Sequence, residues 1–513
     1  VAFDADRPDL TIGIVGAGVM GRGIAQVAAA AGLTVLLADA RPEAAHEARS
    51  FCSEMLRRKA DKGEIETSAW QASLDSIRIA QADASGRYGA FAACDLVIEA
   101  VAEQLDVKHA VLAALEESVR ETCIIATNTS SLTVTAFAAK ARRPERVAGF
   151  HFFNPVPVRR LVEVIGGVST APWALDALDA LARRLGHEPV RARDMPGFLV
   201  NHAGRAFGTE ALRIVSEGIC AFADVDRVMV EAAGFRMGPF ELFDLTGLDV
   251  SYPVMESIYH QFFEEPRFRP SVIAAQRMAG GLYGRKVGRG FYTYADGVAQ
   301  KPTEMPAPAV DPGTFAVWVS NRVPEAARPL RRVLADAGAR LETGARPSFE
   351  ALIVTTPFGE DTTTAALAEQ LDAGRTVAVD CLLGLDRRRT LMTTPITAPE
   401  IRDAAHALLA RGGTPVTVIG DSPGFIAQRI LASIVNVGSD IAQQRIASPA
   451  EIDIAVELGL GYPRGPLRVG NELGPRRVLG ILEAMHRFYG DPRYRPSPWL
   501  KRRAFLGVPL TLA

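Results

Sequence analysis

Leu10-Thr11-Ile12-Gly13-Ile14-Val15-Gly16-Ala17-Gly18-Val19-Met20-Gly21 is the stretch that decides the fold. An apolar run of strand length meets G-x-G-x-x-G, and a helical pattern follows from Met20 to Ala31. In that order the first glycine makes a tight turn, the second lets a pyrophosphate approach the backbone, and the third lets helix and strand pack closely. The helix start behind Val19 and Met20 then offers free N–H groups and a positive dipole end to phosphate. Gly16, Gly18, Val19, Met20 and Gly21 are therefore expected to cradle a dinucleotide. Asp39 closes the next apolar run, Thr34–Asp39, where a carboxylate bonds ribose hydroxyls and repels a 2′-phosphate, so NAD is expected over NADP. Arg41 stands close enough to soften that preference.

Outward from this point the rhythm of a parallel α/β sheet continues. Strands are expected at Asp95–Ala100, Cys123–Thr127, Val147–Phe152 and Leu161–Ile165, with a further helix at Pro42–Arg58. From Pro196 to Tyr259 helical periodicity takes over. Pro302, Pro306, Pro308 and Pro312 then mark an extended linker. Past it, Ala351–Thr355 and Thr376–Asp380 signal a shorter α/β-like region without a glycine-rich turn, and the last ninety or so residues are again helical in pattern.

The helical part occurs twice. Pro196-Gly197-Phe198 returns as Pro423-Gly424-Phe425, and at the same offset Asp226 meets Asp453, Gly234 meets Gly461, and Gly238-Pro239 meets Gly465-Pro466. Pro266-Arg267-Phe268-Arg269-Pro270-Ser271 is echoed by Pro492-Arg493-Tyr494-Arg495-Pro496-Ser497. The expected organisation is an α/β Rossmann-type NAD-binding domain over 1–194 and an all-α domain over 195–294. A linker with a degenerate α/β-like segment over 295–420 follows, then a second helical domain over 421–513. Asn201 of the first copy is Gln428 in the second, so only the first half looks chemically equipped.

Bulk composition narrows the function classes. The chain has 513 residues, too many for one core, with 48% hydrophobic and 23% charged residues and a formal net charge of -2. That balance speaks against nucleic acid as a partner. Five scattered cysteines without a C-x-x-C pair leave no metal knuckle and no disulfide framework, so no metal is expected. Val1–Asp9 lack the basic and apolar regions of a signal peptide, and no apolar run is long enough to span a bilayer. A cytoplasmic protein with no membrane partner is expected.

Several segments converge on one family. Thr127-Asn128-Thr129-Ser130-Ser131-Leu132, Gly149-Phe150-His151-Phe152-Phe153-Asn154-Pro155, Leu161-Val162-Glu163-Val164-Ile165, Pro196-Gly197-Phe198-Leu199-Val200-Asn201 and Gly284-Arg285-Lys286-Val287-Gly288-Arg289-Gly290-Phe291-Tyr292 resemble the 3-hydroxyacyl-CoA dehydrogenases. The resemblance covers about the first 295 residues. The duplicated tail is similar to the long bacterial form of that family associated with phenylacetate catabolism. It implies a His151–Glu163 dyad as catalytic base, with Ser130 and Asn201 holding the substrate's oxygens. It also implies cofactor contacts from Glu103, Lys108, Asn128, Ser130, Asn154 and Lys286, and coenzyme A contacts from Lys62, Lys108 and Ser130. The residues agree on their own terms: Asn154-Pro155-Val156-Pro157 is turn chemistry, so His151 and Glu163 can face one another across a reversal. A carboxylate beside imidazole fixes its tautomer and stabilises the imidazolium.

The implied activity is reversible, NAD-linked oxidation of an (S)-3-hydroxyacyl-CoA to a 3-oxoacyl-CoA, with 3-hydroxyadipyl-CoA or 3-hydroxybutyryl-CoA as substrates. Arg159 and Arg160 are either partners of a distal carboxylate or surface charge, and the basic stretch around Lys62 is either a phosphate site or a solvated helix face. Alternatives are a dehydrogenase of a free sugar acid, as in the lens-crystallin-like branch, and a non-catalytic NAD-binding redox sensor. Single-copy relatives pair through the helical domain, so the repeat implies an internal pseudo-dimer, with further homo-oligomerisation open.

Overall fold

The computed structural model describes all residues except 1, 2, 84, 85 and 312, so Pro312 of the expected linker lies outside the described residues. The chain divides into two compact units. One holds Val1–His202 together with Gln444–Gly461; the other holds Ala203–Gln443 and Tyr462–Ala513.

The first unit is built on an eight-stranded sheet: β1 Thr11–Val15, β2 Thr34–Ala38, β3 Ile77–Ile79, β4 Leu96–Glu99, β5 Ile124–Thr127, β6 Val147–Phe152, β7 Leu161–Gly166 and β8 Glu188–Arg193. Their order is β3-β2-β1-β4-β5-β6-β7-β8. β1 to β6 run parallel, β7 turns antiparallel to β6, and β8 runs parallel to β7. The first six follow the 3-2-1-4-5-6 order of a Rossmann sheet. Strands buried on both faces read as unbroken apolar runs, which is why β1, β4 and β5 were visible in the sequence. β3, with only three residues, and β8, whose Glu188 and Arg193 are exposed, gave no such run.

The segment Gln444–Gly461 of the second helical copy belongs to this unit. It covers the outer edge of β8, whose Arg191 and Arg193 N–H groups donate to the Glu451 carboxylate and the Ile446 carbonyl at 3.0 and 2.9 Å. Unpaired edge donors are thereby satisfied without another strand.

The second unit begins with the rest of the first helical copy, whose helices include Arg205–Ser216, Pro239–Thr246 and Leu248–Gln261. Two landmark groups in the sequence are packing constraints here. A Cβ at Gly238 would stand 2.3 Å from the Asp226 carboxylate, which accepts the Phe240 and Glu241 N–H groups and so caps the helix at Pro239. In Gly284–Tyr292, a Cβ at Gly290 would lie 2.0 Å from Asp244, whose carboxylate takes the N–H groups of Phe291 and Tyr292. A small hairpin of β9 Thr293–Ala295 and β10 Val298–Gln300 follows, and Lys301–Val310 carry neither helix nor strand.

The region beyond is fuller than its sequence suggests. It forms a six-stranded sheet of β11 Ala316–Val319, β12 Arg340–Leu341, β13 Leu352–Thr355, β14 Thr376–Val379, β15 Arg389–Thr393 and β16 Val416–Ile419, ordered β12-β11-β13-β14-β15-β16. As in the first sheet, one antiparallel pair (β14 with β15) breaks an otherwise parallel arrangement. β14, β15 and β16 stand within about two residues of the same 227-residue offset from β6, β7 and β8 as the helical landmarks, so the repeat includes a reduced second Rossmann-like sheet. Where Gly16-Ala17-Gly18 follow β1, Ser320-Asn321-Arg322 follow β11.

Within this unit the long helix Ala427–Gln443 of the second copy packs on Arg205–Ser216 of the first. Arg429, fully buried, donates to Glu210 at 2.8 Å, Glu217 at 2.7 Å, and the Tyr489 and Tyr494 hydroxyls at 3.0 Å. Charges taken out of water need such complete pairing. Arg429→Met is expected to leave Glu210 buried without its closest cation and cost about 3 kcal/mol or more of stability, measured as a lower urea midpoint at unchanged m-value.

Candidate active site

The glycine turn has the shape its sequence demands. Gly16 has φ 103°, in the left-handed region, and a Cβ on Gly21 would stand 1.7 Å from the Gly16 carbonyl oxygen. Gly18, between them, has nothing within 4 Å of its would-be Cβ, so open space lies where a phosphate approaches. Gly18 caps the helix Val19–Ala30 without a side-chain hydrogen bond, leaving first-turn N–H groups available. Asp39 accepts the Ala17 N–H at 2.7 Å on one oxygen and the Arg41 N–H at 2.9 Å on the other. The acidic residue thus braces the turn while remaining half exposed beside it. The residues present fit an NAD.

A second group closes the ends of β4 and β5. Glu99, fully buried, accepts from the Val101 N–H, the Lys108 ammonium and the Thr127 hydroxyl at 2.7, 2.7 and 2.8 Å. Lys108 also meets Glu103 at 3.2 Å and is 1% exposed, so it acts as an internal brace. Glu103 gathers the loop after β5, accepting from the Thr129 hydroxyl at 2.6 Å and from the Ser130 and Ser131 N–H groups at 2.9 and 3.0 Å. Ser130 is therefore held by its N–H and, at 3.5 Å, by its hydroxyl, and Thr133 caps the helix that follows. Partial burial pushes the Glu103 carboxyl up, but Thr129, Lys108, Ser130 and Ser131 outweigh it and bring its pKa to about 2. Glu99 escaped sequence reasoning; its signal was an acid ending a buried strand level with Val15, beside the glycine turn.

His151 and Glu163 are direct partners in the β6–β7 register. The imidazole Nδ1 lies 2.6 Å from Glu163 Oε2, and both side chains are buried. The other carboxylate oxygen accepts the Leu199 and Val200 N–H groups at 2.9 and 2.8 Å. Those amides face it because Gly197 and Phe198 both have positive φ, 73° and 48°, which turns the chain sharply into the helix Val200–Ala203. A carboxylate oxygen accepts, so Nδ1 is the nitrogen that donates to Glu163 and Nε2 is the one turned away from it. Nε2 makes no hydrogen bond among the described residues. Phe153 and Phe198 flank the ring at centroid distances of 4.6 and 5.8 Å. Asn128 ties the two strand ends together, accepting the Phe152 N–H at 2.8 Å, and Asn201 follows the amide of Val200 in the helix turn.

A groove of about 610 Å³ opens beside the glycine turn. Its walls include Arg22, Phe51, Met55, Lys59, Lys62 and Asn154–Val158. Lys62 lies just past the end of the helix Pro42–Asp61, as its C-cap. Lys286 belongs to the other unit, where it pairs with Asp249. No cluster able to hold a metal ion occurs among the described residues, and no described helix is long and apolar enough to cross a membrane.

Comparison with known proteins agrees with this geometry. The model of the 3-hydroxyacyl-CoA dehydrogenase NAD binding domain matches residues 11–195, and that of the C-terminal domain matches 197–294 and again 424–508. The chain belongs to the 3-hydroxyacyl-CoA dehydrogenase family. It is 36% identical to the 3-hydroxyadipyl-CoA dehydrogenase of Escherichia coli K12 over 97% of this chain and 98% of that one. A solved 3-hydroxybutyryl-CoA dehydrogenase of Escherichia coli K12 superposes with a TM-score of 0.82 at 34% identity, covering 97% and 98% of the two chains. The (S)-3-hydroxybutyryl-CoA dehydrogenase of Ralstonia eutropha is shorter: 56% of this chain accounts for 99% of it, at 37% identity and a TM-score of 0.53. As in that family, the protein is an NAD-dependent oxidoreductase of 3-hydroxyacyl-CoA thioesters.

The Glu103 shift has a pH consequence. A carboxyl whose folded pKa lies below its ordinary 4.5 stabilises the fold above that value, and the contribution is lost as pH falls through about 2. Glu103→Gln is expected to remove this part of the acid dependence, leaving stability near pH 2 closer to the parent than stability at pH 6. Acid unfolding followed by circular dichroism reads both.

Proposed function

We propose that His151 is the general base for the substrate's 3-hydroxyl, with Glu163 holding its tautomer. The observation that carries this is Glu163 accepting from Nδ1 and two amides, which leaves Nε2 as the nitrogen without a protein partner among the described residues. Nε2 takes the hydroxyl proton, and the buried carboxylate stabilises the imidazolium that results. NAD, when bound, supplies the hydride acceptor. Gly16, Gly18, Val19, Met20 and Gly21 present backbone N–H groups to its phosphates, and Asp39 meets its ribose. Asn128, Asn154 and the Glu103–Lys108 brace shape the nicotinamide side. Ser130 and Asn201 hold the substrate's oxygens and polarise the carbonyl as it forms.

Coenzyme A lies in the groove beside Phe51 and Lys62, where Lys62 and Lys59 offer cations to its phosphates. Lys108, being enclosed, serves that ligand only through the loop it braces. The substrate is a 3-hydroxyadipyl-CoA or 3-hydroxybutyryl-CoA, as the names of the similar proteins suggest, in phenylacetate or fatty-acid-type degradation. The four-part division at 194, 294 and 420 describes its functional modules, and the second helical copy stands in for a partner subunit.

His151→Ala is expected to bind NAD as the parent does and to lose at least about a hundredfold in kcat. Absorbance of NADH formed from 3-hydroxybutyryl-CoA and 3-hydroxyadipyl-CoA reads this and ranks the two substrates; near-parental kcat would remove His151 from the role.

A truncation after Tyr294 is expected to expose the apolar face of Arg205–Ser216 and to dimerise or aggregate. Sedimentation showing a stable monomer would remove the stand-in role of the second copy.

A further inference from the structure

The repeat reaches the His151–Glu163 pair. Within the first unit, the π-helical turn Val456–Leu460 of the second copy follows the segment docked on β8. A Cβ at Gly459 would stand 2.9 Å from Leu161 Cδ2 and 2.9 and 3.1 Å from the two γ-methyls of Val200. These two residues are not incidental. Val200 supplies one of the two amides that hold Glu163, at 2.8 Å. Leu161 stands two residues before Glu163 on β7, so their side chains share a face of the strand. A bare backbone at 459 is thus pressed against both neighbours of the carboxylate that fixes the imidazole. π-helical turns cost regular hydrogen bonding and are found mostly where a function needs them.

The matching place in the second unit has a different chemistry. The first copy's π-turn, Val228–Ala232, meets β15 there, and Glu231 pairs with Arg388 at 3.0 Å. At the 227-residue offset, Leu161 and Leu458 replace Arg388 and Glu231, and no histidine–glutamate pair lies behind: Ala378 and Thr390 stand for His151 and Glu163. The apolar, glycine-close version of the contact occurs only on the sheet that carries the dyad.

We propose that Gly459 is a positioning residue: the second copy's π-turn fixes Leu161 and Val200 and through them the Glu163 carboxylate that orients His151. This rests on His151 being the base. The duplication then has a consequence for the reaction as well as for packing, since a segment some three hundred residues downstream sets the geometry of the dyad.

Full-length Gly459→Ala tests it. A methyl group there displaces the Leu161 and Val200 side chains, and a shift of the base by a fraction of an ångström is expected to cost roughly tenfold in kcat. KM for NAD is expected to stay at the parental value, and the acid limb of the kcat–pH profile to move, because the His151–Glu163 contact is displaced. The double variant Gly459→Ala with Leu161→Val, which removes the Leu161 Cδ2 overlap and leaves those of Val200, is expected to recover part of the loss. A variant with lowered thermal stability but parental kcat and pH profile would overturn the proposal. Should Gly459→Ala not fold, Leu161→Ala opens a gap at the same contact: an altered kcat and acid limb supports the role, and parental values overturn it. His151→Ala separates the two ideas. If it retains activity, the base assignment fails; if it is inactive while Gly459→Ala is parental, only the positioning role fails.

Discussion

One carboxylate organises the chemistry of the first unit. Glu163 sits in a strand with both oxygens committed, one to the His151 imidazole and one to two backbone amides. A buried charge survives only when its lone pairs are filled, and here the partners come from β6 and from the turn after Pro196, while β7 carries the carboxylate itself. Moving any of these by a residue would leave an acceptor unfilled or an amide stranded. The antiparallel β6–β7 register sets histidine opposite glutamate, and the same reversal recurs as β14–β15, where Ala378 and Thr390 occupy those places. The positive-φ turn at Gly197-Phe198 aims two amides at Glu163, and its counterpart Gly424-Phe425 keeps the same backbone without that carboxylate.

The same economy recurs around it. Glu99 and Glu103 each gather several donors from different strand ends, and Lys108 sits buried between them. Such networks turn loops into fixed walls, because every polar atom is tied. In the reduced second sheet the corresponding space is a smaller cavity of about 180 Å³, lined by Ser320, Arg322, Thr355 and Glu360. Gln428, in the place of Asn201, is fully buried, accepting the Gly359 N–H and donating to Asp380 and the Pro357 carbonyl. Arg322, in the turn after β11, pairs with Glu360 across the mouth. The second copy lacks the glycine-rich turn and the histidine–glutamate pair while keeping the glycines of its helical landmarks.

Much of this was legible in the order of residues. The glycine turn, β1, β2 and β4 to β7, the facing of His151 and Glu163, and the duplication all carry local signatures: apolar runs, turn residues and a constant offset. β3, β8, β12, β15 and β16 do not. β15 begins Arg389-Thr390, with a buried arginine whose guanidinium donates to the Leu385 and Leu409 carbonyls, so polarity there signals an internal bond instead of exposure. The burial of Lys108 between Glu99 and Glu103 likewise leaves no local trace, because both glutamates meet it only in the folded chain.

The sequence alone determined what each segment can be, because strand, turn and helix preferences and the phosphate-binding glycines act over a few residues. It also determined that the helical module occurs twice. Only the tertiary structure decided that Gln444–Gly461 of the second module closes the edge of β8, that Glu163 draws its amides from the turn after Pro196, and that Glu99 anchors Lys108. These are long-range choices. They depend on which buried donors and acceptors remain unpaired once the chain is compact, and no local pattern records that inventory.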